Sequence, residues 1–477
     1  MLSDFILSAN LCDIFLQTQA LPFKTMDDRR EAFGPLVDIP DTSLIALALR
    51  VYEYKFLKPS EKCRVIARIA GSYNLVHVAQ LDNDFRLVIR VPVTGWGSGK
   101  TETAARALES TVATMRFIAN HTSIPVPQVY EYDTSDDNEI HTPYMCISFI
   151  YGSPVSNIWS KGSDTIPLIH FQHNILRSLA QVMVQFSCFR FNKIGSIPNN
   201  DVDAESLEPC YSWQQHPDAT LRVVSSGPFD SASSYLAHHY REDDGDEYSR
   251  GASAILKSIM STAIPDYPSE YFVLCPPDFD SQNVLVDRRG NVTGLIDWDH
   301  AQTLPQSMGY ARFPAWLTRD WDPSTYSWPE MSGTEDSPAT LNYYRQQYCQ
   351  YLGNALKWRR EWMFTLKSHM AEAVWIAVHY THSRVAICQK LIEEVPMGNK
   401  YIDGRKILFD IGNDDFEEED WNSLIAGIKS LFIMRHQLFA HRQQARLSRL
   451  MAYPDPGSRR RSFEPSCYHA LEPATYN

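Results

Sequence analysis

"PPDFDSQNVLVDRRGNVTGLIDWD", residues 276–299, sets an Asp at 278, an Asn five positions on at 283, and an Asp fourteen positions after that at 297. "NVLVD" and "NVTGLID" are β-branched runs around "DRRGN", whose Asp, Gly and Asn are residues that a hairpin turn takes. Pairing Leu285 with Leu295 puts Asn283 opposite Asp297 in antiparallel register, so the turn brings an amide oxygen and a carboxylate together. Two hard oxygens of this kind suit Mg²⁺, which takes one or two protein oxygens and fills its octahedron with water and substrate phosphate. Asp278, in the loop before the first strand, then stands beside the metal without being a ligand, free to act as a base.

Asp-x4-Asn alone is common, and turn chemistry by itself explains the polar residues of an isolated hairpin. The surroundings decide. Residues 61–100 read as three antiparallel strands, "CRVIARIAG", "LVHVAQLD" and "FRLVIRVPV", separated by "GSYN" and "DND". "ETAARALESTVATMRFIAN" places Ala105, Leu108, Val112, Met115 and Ile118 at helical spacing. Further strands follow in "SIPVPQVYEYD" and "YMCISFIYG", and Gly152 marks a hinge. Beyond it the chain is mainly helical, "FQHNILRSLAQVMVQFSCF", "SWQQHPDATLRVV" and "LKSHMAEAVWIAVHYTHSRVAICQKLI" included, with the opening stretch as the one hairpin among them. The domain reading is an N-terminal helical extension (1–60), a β-rich N-lobe (61–152), a larger mainly helical C-lobe (153–445), and a Pro-, Ser- and Arg-rich tail (446–477) expected to be disordered.

A β-rich lobe followed by a helical lobe that carries a base, an Asn and a metal-binding Asp is the layout of phosphoryl transfer in kinase-like enzymes. In the N-lobe, the turn at Gly71, Ser72 and Asn74 offers backbone amides to nucleotide phosphates. Arg90 is a cation on an otherwise apolar strand, and Glu109 on the next helix is its expected ion-pair partner. "GWGSGKT" (95–101) imitates a phosphate-binding loop but has three residues, not four, between Gly95 and Gly99, so it reads as a strand-to-helix connection. His238-His239 and His379-x2-His382 lack further ligands at zinc-like spacing.

Composition sets the bounds. An apolar share of 44% and a charged share of 21%, with 11 Trp and 24 Tyr, describe an ordinary folded protein. A net charge of −13 disfavours nucleic acid and acidic membrane as partners, since both select a basic surface. Nine cysteines without a CxxC pair read as reduced thiols. With no export signal and no run of 18 apolar residues, the expected location is the cytoplasm.

With these residues in view, the chain resembles the aminoglycoside phosphotransferase family in its fungal-type branch, over about residues 60–440. The resemblance rests on "CRVIARIAGSYNLVHVAQL", "LESTVATMRFIANHTSIPVPQVY", "FNKIGS", "GPFDSASSYL", "FVLCPPDFDSQNVLVDRRGNVTGLIDWD" and "GYARFPAWLTRDWDP", in that order. It implies an α+β, two-lobed protein-kinase-like fold with ATP and Mg²⁺ between the lobes. Carried over by motif, Asp278 is the catalytic Asp, Asn283 and Asp297 hold the metal, Gly71 to Asn74 cover the phosphates, and the hinge from Phe149 through Tyr151 to Gly152 lies near adenine. Asp299 supports the metal site. Three positions depart from the family pattern: Pro276 stands where a His is usual, Arg90 where a Lys is usual, and Glu109 two residues before the position that usually carries Glu. The function expected is transfer of the ATP γ-phosphate to a hydroxyl of a small-molecule acceptor. The alternative is a non-catalytic pseudokinase that serves as a binding or scaffold protein.

Overall fold

Helix α1 (Asp41–Phe56) forms because Leu44, Leu47, Ala48, Val51 and Tyr52 recur on one face, and all five are buried. It ends at Leu57, which turns left-handed at φ 53° and returns its N–H to the Glu53 carbonyl. The computed structural model describes residues 26–432 apart from 83, 164–165, 200–205, 217–219, 263–270, 332–334 and 396–401. The tail expected to be disordered lies outside the described residues.

The chain then runs through β1 (Cys63–Ala70), β2 (Asn74–Leu81), β3 (Arg86–Pro92), α2 (Glu102–His121), β4 (Val129–Asp133) and β5 (Tyr144–Ser148). The strands form one antiparallel sheet in the order β1-β2-β3-β5-β4. Side chains alternate across it. Leu87, Ile89 and Val91 of β3 share a core with Leu44, Leu47 and Val51 of α1. Val88 packs on the other face, with Val112, Met115 and Ile118 of α2. Arg90 shares the face of Val88, which is the face turned toward the second lobe.

"GWGSGKT" becomes two short 3₁₀ turns between β3 and α2. Its Thr101 caps α2 by accepting the Ala104 N–H at 3.1 Å, and its Lys100 is ion-paired with Asp136.

The second lobe contains α3 (Leu168–Met183), β6 (Cys210–Gln215), β7 (Leu221–Ser226), α4 (Glu247–Thr262), β8 (Val284–Val286), β9 (Val292–Leu295), α5 (Pro338–Ala355), α6 (Ser368–His379), α7 (Thr381–Glu393), α8 (Gly404–Gly412) and α9 (Glu418–Phe432). Leu176, Leu179, Ile255, Val374, Ile387 and Leu424 meet in one core with Val284 and Val286 of β8. Helices α4 and α8 cross with their backbones in contact. A Cβ on Gly251 would lie 2.0 Å from the Leu408 carbonyl, and one on Gly412 would lie 1.8 Å from that of Glu247.

"SWQQHPDATLRVV", placed with the helical segments from sequence, is instead a hairpin, β6–β7, paired from Cys210 with Ser226 to Gln215 with Leu221. Tyr211 and Val223 bury themselves against Ala107 of α2, so alternation, not helical periodicity, governs the stretch. No single described helix is long and apolar enough to cross a membrane. The seven described cysteines are free.

Candidate active site

The hairpin β8–β9 pairs Val284 with Leu295, Leu285 with Gly294, and Val286 with Val292. The register is one residue away from the expected Leu285–Leu295 pair, because the turn centres on Arg289, with the Asp287 N–H on the Asn291 carbonyl at 2.9 Å, and the bulge between Leu285 and Val286 recovers only one position of that offset. Asn283 therefore faces Ile296, whose N–H it accepts at 3.0 Å, and Asp297 falls one residue beyond. The Asn283 amide turns the other way: Nδ2 donates to the Asp278 carbonyl at 3.0 Å and to Asp278 Oδ2 at 2.8 Å. Gln282 Nε2 donates to the same oxygen at 2.9 Å. Both side-chain bonds fall on Oδ2, and Asp278 Oδ1 is left open. Partial loss of water, then the negative charges of Asp280 and Asp297, push the Asp278 pKa above the ordinary Asp value.

Pro276 leaves this loop without a histidine, and another side chain braces it. Buried Arg312 Nη2 donates to the Pro276 and Pro277 carbonyls at 3.0 and 3.2 Å, while its guanidinium lies 5.9 Å from the Phe279 ring centroid. Glu372, at 3.7 Å, balances its charge and accepts a hydrogen bond from Thr318 at 2.9 Å.

At the end of β9 the backbone turns left-handed at Asp297, φ 63°, a conformation that Asp tolerates better than most residues. Trp298 fastens the turn. It is fully buried, and its indole N–H donates to the Leu295 carbonyl at 2.9 Å. Partial loss of water, then the repulsion of Asp299, raises the Asp297 pKa against the opposing pull of Arg90.

Arg90 reaches across the lobes: Nη2 donates to Asp297 Oδ1 at 2.8 Å and to Asp299 Oδ2 at 3.2 Å. Asn74, from the glycine turn, donates to Asp299 Oδ2 at 2.7 Å. Tyr73 stacks on Trp213 of β6 with centroids 4.5 Å apart and planes 3° from parallel, and Trp213 in turn meets His300 at 4.6 Å. These contacts leave a cavity of about 30 Å³ lined by Asn74, Arg90, Thr111, Trp213, Asp299 and His300.

Glu109 is not the partner of Arg90, contrary to the sequence expectation. The α2 face lining this cavity carries Ala104, Ala107, Leu108 and Thr111, and Glu109 lies rotated away, near Tyr211. Gly71 donates its own N–H to the Asn74 carbonyl at 2.9 Å, which closes the turn and leaves Ser72 and Tyr73 exposed at its tip. Phe149 and Tyr151 pack edge-to-face at 5.0 Å beneath Arg86, at the far end of β3 from Arg90. The structure thus gathers Asp278, Asn283, Asp297, Arg90 and Asn74 and keeps the hinge aromatics apart from them. Trp213, Arg312 and His300 are the members that sequence reading missed.

The donor set can be tested for Mg²⁺. With its Nδ2 committed to Asp278, Asn283 keeps Oδ1 as an acceptor, and the Asp297 side chain is 43% exposed. Among the described residues no cluster of three or more His, Cys, Asp or Glu suits a metal. The Asn283 amide oxygen and the Asp297 carboxylate are the two protein oxygens that an ion such as Mg²⁺ would take, with substrate phosphate completing its shell.

The chain is 26% identical over 268 residues to clavilactone A biosynthesis cluster protein Y of Ampulloclitocybe clavipes, covering 53% of this chain and 64% of that protein. It is 28% identical over 173 residues to altered inheritance of mitochondria protein 9 of Candida albicans, covering 35% of this chain and 27% of the relative. The chain thus spans less than two thirds of the length of these curated relatives. Among solved structures, a GDP complex of an aminoglycoside 2′-phosphotransferase-IIIa variant aligns at 13% identity and TM-score 0.39, over 80% of this chain and 99% of that one. Macrolide 2′-phosphotransferase type I aligns at 12% and 0.38, over 83% and 99%. The family model of the phosphotransferase enzymes (APH) matches residues 68–327, which hold the sheet from the end of β1 onward, Arg90, the β8–β9 hairpin and Arg312. The chain, an α+β protein with a sheet-rich first part and a mainly helical second part, belongs to the phosphotransferase enzyme family.

Proposed function

We propose that the protein transfers the γ-phosphate of ATP to a hydroxyl of a small molecule. The observation that carries this reading is the arrival of the Arg90 guanidinium, from the sheet, at Asp297 and Asp299 of the other lobe, beside the loop that holds Asp278. A phosphate-binding cation, a metal-binding carboxylate and a base are the parts that phosphoryl transfer needs.

In this reading Asn283 and Gln282 hold Asp278 Oδ2, which aims the open Oδ1 at the acceptor hydroxyl and gives its proton a place to go. Asn283 Oδ1 and Asp297 would hold Mg²⁺, which would supply positive charge against the charge developing on the phosphate. Arg90 exchanges carboxylate oxygens for phosphate oxygens when nucleotide enters, and Asn74 gives up Asp299 as the turn lifts.

A pseudokinase is the second reading. It is favoured by the small cavity and by the engagement of Arg90 with two carboxylates. Calorimetric titration with a non-hydrolysable ATP analogue, with and without Mg²⁺, separates the two. Binding that needs Mg²⁺ and is lost in Asp297→Ala supports the transferase, and Asp278→Asn should then bind nucleotide normally without turning it over. Absence of binding by the wild type would leave the second reading standing.

A further inference from the structure

The turn of the β8–β9 hairpin, at the end opposite the candidate active site, opens on a second basin. Asp287 lies four positions beyond Asn283, roughly 13 Å of strand, so the two sites are distinct. The basin has a volume of about 710 Å³ and is lined by Arg177, Arg288, Arg289, Asn174, Gln181 and Asn291.

Its chemistry runs against the rest of the chain. The protein carries 57 acidic residues and a net charge of −13, yet α3, "LIHFQHNILRSLAQVM", contains no Asp or Glu, and no carboxylate lines the basin. Among the described residues none of the three arginines has a carboxylate at ion-pair distance. Arg177 donates to Asn174 Oδ1 at 3.1 Å and lies over the Tyr351 ring. The carboxylate of Asp287, in the same turn, is already engaged by the N–H groups of Arg289 and Asn291 at 2.8 Å and by Asn291 Nδ2 at 2.9 Å.

The scaffold beneath the arginines is fixed. Ser163 Oγ donates to the Arg288 carbonyl at 2.9 Å, Asn174 Nδ2 to the Arg289 carbonyl at 3.0 Å, and the Val292 N–H to Ser178 Oγ at 2.9 Å. Gly290, at φ +82°, seats the turn so closely on α3 that a Cβ would lie 3.0 Å from the Phe171 carbonyl. Backbone order is therefore in place before any ligand arrives, and the side chains of Arg288 and Arg289 remain to be ordered.

We propose that this basin binds a small molecule bearing two or more phosphate groups. A guanidinium fork matches a phosphate bidentately, three forks ask for more than one phosphate, and the volume lies in the range of small-molecule sites. The polar lining favours a ligand whose surface is mostly charged. The site is independent of the transfer chemistry proposed above.

The test is titration of the full chain with inorganic tripolyphosphate and, separately, with inositol hexakisphosphate, both in Mg²⁺-free buffer. Hydrogen-exchange mass spectrometry follows residues 286–292, 174–181 and 71–74. Binding with protection at 286–292 and 174–181 is expected, weakened about tenfold or more in each of Arg288→Ala and Arg289→Ala. Arg288→Lys and Arg289→Lys should fall between, since Lys keeps charge without the fork. Nucleotide binding should be unchanged in all four variants, which also shows that they fold. A response to one probe alone assigns the phosphates to an inorganic chain or to an organic scaffold. No binding of either probe, full affinity in Arg288→Ala/Arg289→Ala, or protection confined to 71–74 would overturn the proposal.

Discussion

Replacing Arg312 with Met removes a cation whose side chain is 8% exposed and leaves Glu372, 12% exposed, facing an empty position. At 3.7 Å separation the lost attraction is about 4 kcal/mol for an effective dielectric of about 20. Two carbonyls of the Asp278 loop lose their donor as well. Protonation of Glu372 limits the damage, so the expected net loss is about 3–5 kcal/mol. Glu372 already titrates above the usual Glu value, because burial outweighs Arg312. Without the cation it rises further. The folded variant then holds a proton that the unfolded chain releases above about pH 4.5, so its stability relative to wild type falls as pH rises. Urea denaturation at pH 5 and pH 8 should show a smaller deficit at pH 5. Arg312→Met/Glu372→Gln should recover about 2 kcal/mol, the coupling expected of neighbours. Hydrogen exchange at residues 276–283 should quicken in the single variant. A deficit under about 1 kcal/mol, or one identical at both pH values, would refute the bracing role.

Two further outcomes follow from burial and close approach. Burial, then the charge of Arg68, lowers the His77 pKa to about 4, so the unfolded chain takes up a proton between about pH 6.5 and 4 that the folded chain refuses. The stability is fully present above pH 6.5 and falls by about 3 kcal/mol toward pH 4; His77→Leu should flatten that part of the denaturation profile, and an unchanged profile would assign the acid loss elsewhere. Gly251→Ala forces a methyl group to within 2.0 Å of the Leu408 carbonyl and should cost about 3 kcal/mol as α4 and α8 separate; an unshifted thermal midpoint would show that the crossing is slack.

What could be read from the chain without its structure was mostly local. Asp278, Asn283 and Asp297 lie within twenty positions of one another, joined by a hairpin whose turn residues are explicit. Their neighbourhood follows from strand geometry. The register slipped by one because nothing in "DRRGN" shows that its turn centres on Arg289, or that a bulge follows it. The partners of Arg90 are more than 200 residues away, and no periodicity links them to β3. The Glu109 expectation took the helix in the right place but with the wrong side facing the sheet. For Trp213 a signal existed: "CYSWQQ" alternates, Pro217 interrupts, and "LRVVSS" is β-branched. Arg312, within "GYARFP", carries no local sign that it serves carbonyls 35 and 36 positions upstream.

The clasp between the lobes has a consequence for how such proteins can be recombined. Arg90 and Asn74 come from the sheet, Asp297 and Asp299 from the helical lobe, and each half neutralises or satisfies the other. A chimera that takes its first 150 residues from a relative with a different cation inherits mismatched ends at the seam where nucleotide would enter. Charge at position 90 and the spacing of the two aspartates must be exchanged as one unit, which makes the seam, not the hinge, the natural limit on shuffling these halves.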